Sequence, residues 1–360
     1  MNPVVESALI SAAATVVGVG GTVIVAIMGF RNSRQANDAT IKATDKTAAV
    51  ARETNQATID AAHVDVGRAL DATREGQVAD RYSRAIEQIG SAMVDVQIGG
   101  VYALERVARD SPPDHPTVME VLAAFIRNHS HLQWPVHGPD DASGPERTMR
   151  PEVQAALTVI GRREPSHDQQ PIDLSRADLS GADLSGAKLA GGRLNGAVLA
   201  QARLADAVLT RADLSGADLS GADLTNADLA HADLSGADLS DAVLPHATLA
   251  RADLARAKLI RAHLNDADLT LASLARADLT CAHLRGTKLI ETNLTEANLT
   301  DAVLTGAELT RTVLYLADLS RVNLTNARLA EHMPTPNGWI RDPGSGRLRR
   351  ASTDADDSGN

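Results

Sequence analysis

From Ser7 to Phe30 the chain carries no charge, and residues 8–30, ALISAAATVVGVGGTVIVAIMGF, would make a helix roughly 34 Å long. That length spans a hydrocarbon core of about 30 Å. Residues 31–76 contain no proline and no glycine before Gly67, and are thinly apolar, with Ile41, Val50, Ile59, Val64 and Leu70 too irregularly spaced for a firm heptad. A helical stalk is expected there, with a coiled coil left open. Apolar density then rises at helical spacing in ADRYSRAIEQIG, VDVQIGGVYALERVARD and TVMEVLAAFIRNHS, predicting a small helical domain over 77–130. A Pro, Gly and Asp-rich linker follows at 131–149, and a helix over 150–165 leads onward. Beyond it the period changes to five, which fits neither a helix nor a strand. Every fifth residue from Leu174 to Leu329 is Leu, giving 32 units without an insertion, and the residue two before each Leu is Ala in 26 of them.

A small residue and a Leu two apart face the same way, while the remaining positions carry Asp, Arg, Ser, Thr, Gly and His. Each unit therefore reads as one short wall with an apolar pair turned inward. Leu214, Leu219, Leu224, Leu229, Leu234 and Leu239, with Ala212, Ala217, Ala222 and Ala227, are the expected core of the middle repeats. One five-residue side cannot bury its own edges, so stability must come from stacking.

The run RADLSGADLSGADLTNADLAHADLSGADLS resembles the pentapeptide repeat family, and the resemblance covers residues 172–330. It implies a mainly β repeat: a right-handed quadrilateral β-helix with four pentads per coil, hence about eight coils and a height of roughly 38 Å. The expected architecture is this β-helix preceded by a transmembrane helix, a helical stalk and a small all-α domain. The helical stretch also resembles a region of membrane-anchored bacterial proteins that carry such repeats.

Charge refines the picture. The chain holds 35 Lys and Arg against 46 Asp and Glu, a net of −11 spread along its length, so no basic stripe awaits nucleic acid phosphates. Arg31, Arg34, Lys42 and Lys46 follow the apolar segment, which places residues 1–30 as a single-pass anchor in the lipid bilayer with the C-terminal bulk cytoplasmic. Ala14, Gly18, Thr22 and Ala26 recur every four residues, so self-association into a homodimer stays open. One cysteine, Cys281, excludes an intrachain disulfide and fits a reducing compartment.

Candidate chemistry is sparse. No phosphate-cradling glycine loop, nucleophile elbow or metalloprotease motif occurs, so no enzymatic activity and no cofactor are expected. His263 and His283 stack near Cys281, but a fourth ligand is missing and no metal site is assigned. Asp in the middle of the pentad reads first as a carboxylate bonding its own turn. The ladders Asp213, Asp233, Asp253 and Asp218, Asp238 form the candidate interaction surface, with Arg211 and Arg251 near enough in sequence to soften their repulsion.

The expected function is a membrane-anchored, non-catalytic scaffold for an unidentified cytoplasmic protein. The alternative implied by the resemblance is a DNA-mimicking regulator or protector of a type II topoisomerase such as DNA gyrase. An open final coil needs a cap. Residues 331–350 are expected to supply one, as a hairpin of 339–342 with 347–349 that lays Trp339 across the end. Residues 351–360 read as a disordered tail.

Overall fold

The computed structural model describes the backbone of residues 3–131, 149–329, 335–336 and 338–351, and side chains from residue 37 onward. The expected anchor, residues 8–30, thus lies outside the described side chains, as do residues 132–148 of the expected linker at 131–149 and residues 352–360 of the expected tail at 351–360. Among the described residues no helix is long and apolar enough to cross a membrane. The chain divides into two units, Met1–Gln77 and Val78–Asn360.

The described residues of the first unit are all helical, within α1 (Pro3–Ile89). Ile41, Val50, Ile59, Val64, Val66 and Leu70 are all exposed. The hydroxyls of Thr44, Thr47, Thr54 and Thr58 each donate to the carbonyl four residues back, so these polar groups are satisfied within the helix.

The second unit begins with the last turns of α1, then α2 (Val94–Asp110), α3 (His115–His129) and α4 (Pro151–Arg162). Residues 78–89 are therefore not a separate short helix. α1 stops at Ile89 before Gly90, and α2 crosses its end so closely that a Cβ on Gly100 would lie 2.8 Å from the Ile89 backbone nitrogen. Val118, Leu122, Ile126, Val153, Leu157 and Ile160 fill the space between the helices at i, i+3 and i, i+4 spacing.

From residue 172 onward each middle residue bridges the one twenty positions later in parallel, as in Asp213↔Asp233↔Asp253 and Asp218↔Asp238, so four pentads complete a coil of the β-helix. Pentad 212–216 shows why the sequence repeats as it does. Ala212 N donates to Leu209 O across the corner, Asp213 N to Gly192 O on the preceding coil, and Leu214 N and Gly216 N to Asp233 O and Ser235 O on the following coil. The fifth amide, Ser215 N, has no backbone partner and donates instead to Asp213 Oδ1 at 3.1 Å. All five amides are thus used, and the central Asp supplies the one acceptor the backbone lacks. Gly216 turns the corner at φ +62°.

Inward, Leu214, Leu219, Leu224, Leu229, Leu234, Leu239, Ala212, Ala217, Ala222 and Ala227 are all buried. Where Thr replaces the inward Ala, Thr287, Thr292 and Thr312 donate their hydroxyls to Leu264 O, Leu269 O and Leu289 O, so no buried hydroxyl is stranded.

Helices α2–α4 share one hydrophobic core with the first coil. The reason is edge satisfaction. Middle-residue amides normally donate to a preceding coil, and the first coil has none. Asp178 N donates instead to Ser130 Oγ, Asp183 N to Gln154 Oε1 and Lys188 N to Gly161 O. Arg127 donates to Asp173 O, Gln154 Nε2 to Asp183 O and Arg163 Nη1 to Lys188 O. Helices α3 and α4 are the cap on the N-terminal end.

At the other end Arg328 of β2 (Arg328–Leu329), which pairs with β1 (Glu308–Leu309), bridges Arg347. β3 (Trp339–Arg341) and β4 (Leu348–Arg350) form an antiparallel hairpin with Trp339 opposite Arg350. Trp339 and Leu348 are buried in the same core.

Candidate functional site

The outer surface of the β-helix consists of side-chain columns at coil spacing. Asp213, Asp233 and Asp253 occupy one face, and Asp218 and Asp238 the next. Each spends Oδ1 on the amide two residues on: Ser215, Ser235 and Ala255 on the first face, Ser220 and Ser240 on the second. On Asp238 the second oxygen pairs with Lys258 Nζ at 3.2 Å. Burial pushes Asp238 up, but the Ser240 hydrogen bonds and the Lys258 ammonium outweigh it and hold the carboxyl below the usual range. For Asp213, Asp218, Asp233 and Asp253 no partner of Oδ2 occurs among the described residues. Each carboxylate is locked by its turn and presents one oxygen outward.

Arg211 and Arg251 form no ion pair with this ladder among the described residues. Cross-coil pairs form elsewhere: Arg203–Asp183, Lys258–Asp238, Arg261–Asp241, Arg276–Glu296, Lys288–Asp268, Arg311–Glu291 and Arg321–Asp301, each twenty residues apart. The ladder Asp213, Asp233, Asp253 is the stretch in which carboxylates stack on carboxylates with no such pair. Like charges about 5 Å apart cost roughly 1 kcal/mol in water.

His263 and His283 stack at 4.7 Å between centroids, with planes 12° apart. Cys281 is a free, half-buried thiol. Among the described residues no three His, Cys, Asp or Glu side chains come close enough to hold a metal.

The helical cap holds polar residues that the sequence does not single out. Arg163 donates from Nε and Nη2 to Asp168 Oδ2 at 2.8 and 2.6 Å, and His115 Nε2 lies 3.0 Å from Asp168 Oδ1. The Arg163 side chain is 3% exposed and that of His115 is 5%. This cluster ties the start of α3 to the segment entering the first coil. The only clue to the cap is the likeness of EVQAALTVIGRR to DVQIGGVYALER, which places Gln154 where α2 carries Gln97. A cleft of 420 Å³ between α4 and the first coil, lined by Gln154, Thr158, Arg162, Asp183 and Lys188, follows this seam.

A family model described as Pentapeptide repeats matches eight copies within residues 172–330. HetL, a pentapeptide repeat protein involved in heterocyst differentiation regulation in the cyanobacterium Nostoc sp. strain PCC 7120, is 31% identical over 46% of this chain and 91% of its own, with a TM-score of 0.23. Full-length QnrB1, a plasmid-mediated fluoroquinolone resistance protein, is 22% identical over 44% of this chain and 81% of its own, at a TM-score of 0.28. Rfr23 from the cyanobacterium Cyanothece 51142 is 25% identical over 40% and 90%, at 0.20. No curated protein matches the chain.

Proposed function

The chain belongs to the pentapeptide repeat family, a family of right-handed β-helices, through residues 172–330, and on that premise we propose that it is a non-catalytic scaffold held at a membrane. Residues 8–30 are the anchor in this reading, and everything after Arg31 lies on the cytoplasmic side. The observation that carries the docking role is the ladder Asp213, Asp233, Asp253 with the adjoining Asp218: carboxylates at coil spacing, each fixed by its own turn and each with an outward oxygen. Such a ladder loses little side-chain entropy on binding, and it fits a basic segment of a cytoplasmic protein. Anchoring rests on the length of the uncharged segment and the arginines that follow it.

Fractionation tests the anchored half of the reading. The full chain should stay in the membrane pellet through an alkaline wash, and a chain lacking residues 1–30 should move to the supernatant. Retention of the shortened chain in the washed pellet rules out a single anchor at residues 8–30.

A second reading, duplex-DNA mimicry directed at a type II topoisomerase such as DNA gyrase, draws on the same carboxylate ladder. Among the described residues seven cross-coil pairs with Lys and Arg neutralise acidic side chains elsewhere on the β-helix, which favours the scaffold. Titrating the protein into a gyrase supercoiling assay separates the two: mimicry inhibits supercoiling, and a scaffold for another protein leaves it unchanged.

A further inference from the structure

Among the described residues, the C-terminal end of the β-helix is finished on one half and open on the other. On the finished half Leu324 and Leu329 are 2% and 3% exposed. There Asn326 N donates to Leu348 O and Leu348 N donates to Ala327 O, both at 2.8 Å, while Arg347 stands opposite Arg328. Half a coil earlier, ten residues back, the equivalent positions are Leu316, Ala317 and Asp318. Among the described residues no strand lies beyond them: Val313 and Asp318 bridge only backward, to Asn293 and Asn298. The inward residues Leu314, Ala317 and Leu319 are half-buried, and Val313, Tyr315 and Leu316 are 47%, 68% and 67% exposed.

Two details mark this edge as more than a frayed end. Tyr315 is the only aromatic residue in the repeats, and Tyr is over-represented among residues that dominate binding energy. Leu316 turns its corner at φ +56°, as Arg256, Arg276 and Glu296 do at φ +60°, +61° and +58° in the same column, but the side chain it places there is apolar and exposed.

We propose that residues 312–321 form a docking site for an extended segment of another polypeptide, one carrying a Leu-sized residue flanked by basic side chains. The partner adds as a strand to the open edge, the mode by which sheet edges capture peptides. The patch is continuous with the hairpin interface, which shows what the edge accepts: a Leu over the inward pair and a backbone that exchanges hydrogen bonds with the corner. Charge selects the flanking residues. On the finished half Arg347 faces Arg328, a like-charged pair that weakens the contact. On the open half the same place is faced by Asp318, so a basic residue gains a partner where the protein's own hairpin meets repulsion.

The hairpin sequence supplies a probe. A fluorescein-labelled synthetic peptide copying residues 338–351, GWIRDPGSGRLRRA, is titrated against the full-length protein in detergent micelles and followed by anisotropy. Saturable binding is expected, weakened at least tenfold by Leu316→Asp and by Asp318→Lys, unchanged by Asp206→Asn, and lost with a peptide carrying Asp in place of Leu348. Leu316 and Asp318 are exposed, and an unchanged thermal melt confirms that those variants fold. Absence of saturable binding, or binding that ignores Leu316→Asp, overturns the proposal. So does a concentration-dependent dimer that Leu316→Asp abolishes, since the occupant would then be a second copy. Because Leu316→Asp and Asp318→Lys alter the edge and not the ladder, failure here leaves the scaffold reading to its own test.

Discussion

Gln154 and Asp183 exchange two hydrogen bonds, Asp183 N to Gln154 Oε1 at 2.9 Å and Gln154 Nε2 to Asp183 O at 2.8 Å, so a helix side chain stands in for the missing strand at the first coil. Replacing Gln154 by Leu strands both backbone groups at a partly covered edge. The expected cost is about 1–3 kcal/mol, read as a lower midpoint in urea with an unchanged slope. An unaltered midpoint means that water satisfies the edge equally well.

The buried Arg163–Asp168–His115 cluster should behave as a unit. Arg163→Met leaves Asp168 buried beside His115 without its guanidinium partner, and breaking a buried pair in this way costs about 3–5 kcal/mol. Adding Asp168→Leu should recover part of that loss. If the double variant is no more stable than the single one, the cluster is not coupled.

How much of this was legible beforehand follows from what leaves a periodic mark. The β-helix was legible because each Leu and Ala faces the same interior and the register never slips between Leu174 and Leu329. The Asp in each pentad was legible as a turn acceptor, since Asp213 and its equivalents are placed two residues before an amide the backbone cannot serve. The N-terminal cap was not, because Ser130 and Gln154 act singly: a Gln on a helix looks like any solvated residue until the coil edge is set against it. The uncovered half of the last coil was hidden for the converse reason, since Leu314 and Leu319 repeat the core pattern and lose only their cover.

In the core, Leu239→Ala should cost about 2–5 kcal/mol, because neighbouring coils hold the backbone and the cavity cannot collapse. Leu239→Asp should prevent cooperative folding, since the carboxylate would be buried without a partner. A thermal midpoint of Leu239→Asp equal to that of the parent protein contradicts the inward placement of Leu239.

Acid stability follows from Asp173, Asp183, Asp238 and Asp268, all held below the usual carboxylate range. For Asp173, Asp238 and Asp268 burial opposes the shift, and Ser175, Ser240 and Thr270 with the nearby cations overcome it; for Asp183 the Ser185 hydroxyl leads, with Arg203 adding to it. A depressed folded-state value contributes stability that is present above the unfolded value of about 3.9 and lost as pH falls through the lower folded values. Urea midpoints should therefore hold nearly level from about pH 7 to 5 and fall below about pH 4. Lys258→Met with Lys288→Met should flatten that limb; midpoints that rise on acidification below pH 4 contradict it.

Trp339 should report the hairpin cap. In a Trp134→Phe background its emission should be blue-shifted and poorly quenched by iodide, because the side chain is 7% exposed beneath the Arg350 guanidinium. A water-like maximum with free quenching means that the hairpin does not seat.

The docking role of the acidic ladder is tested most directly by proximity labelling in the native membrane, comparing the intact chain with the triple variant Asp213→Asn, Asp233→Asn, Asp253→Asn. Asn keeps the turn acceptor, as Asn293 does for Thr295, and removes only the charge. Both forms should reach the membrane in equal amounts. A discrete set of cytoplasmic proteins should be labelled by the intact chain and fall at least tenfold with the variant, whereas identical labelled sets would contradict a partner held by these carboxylates.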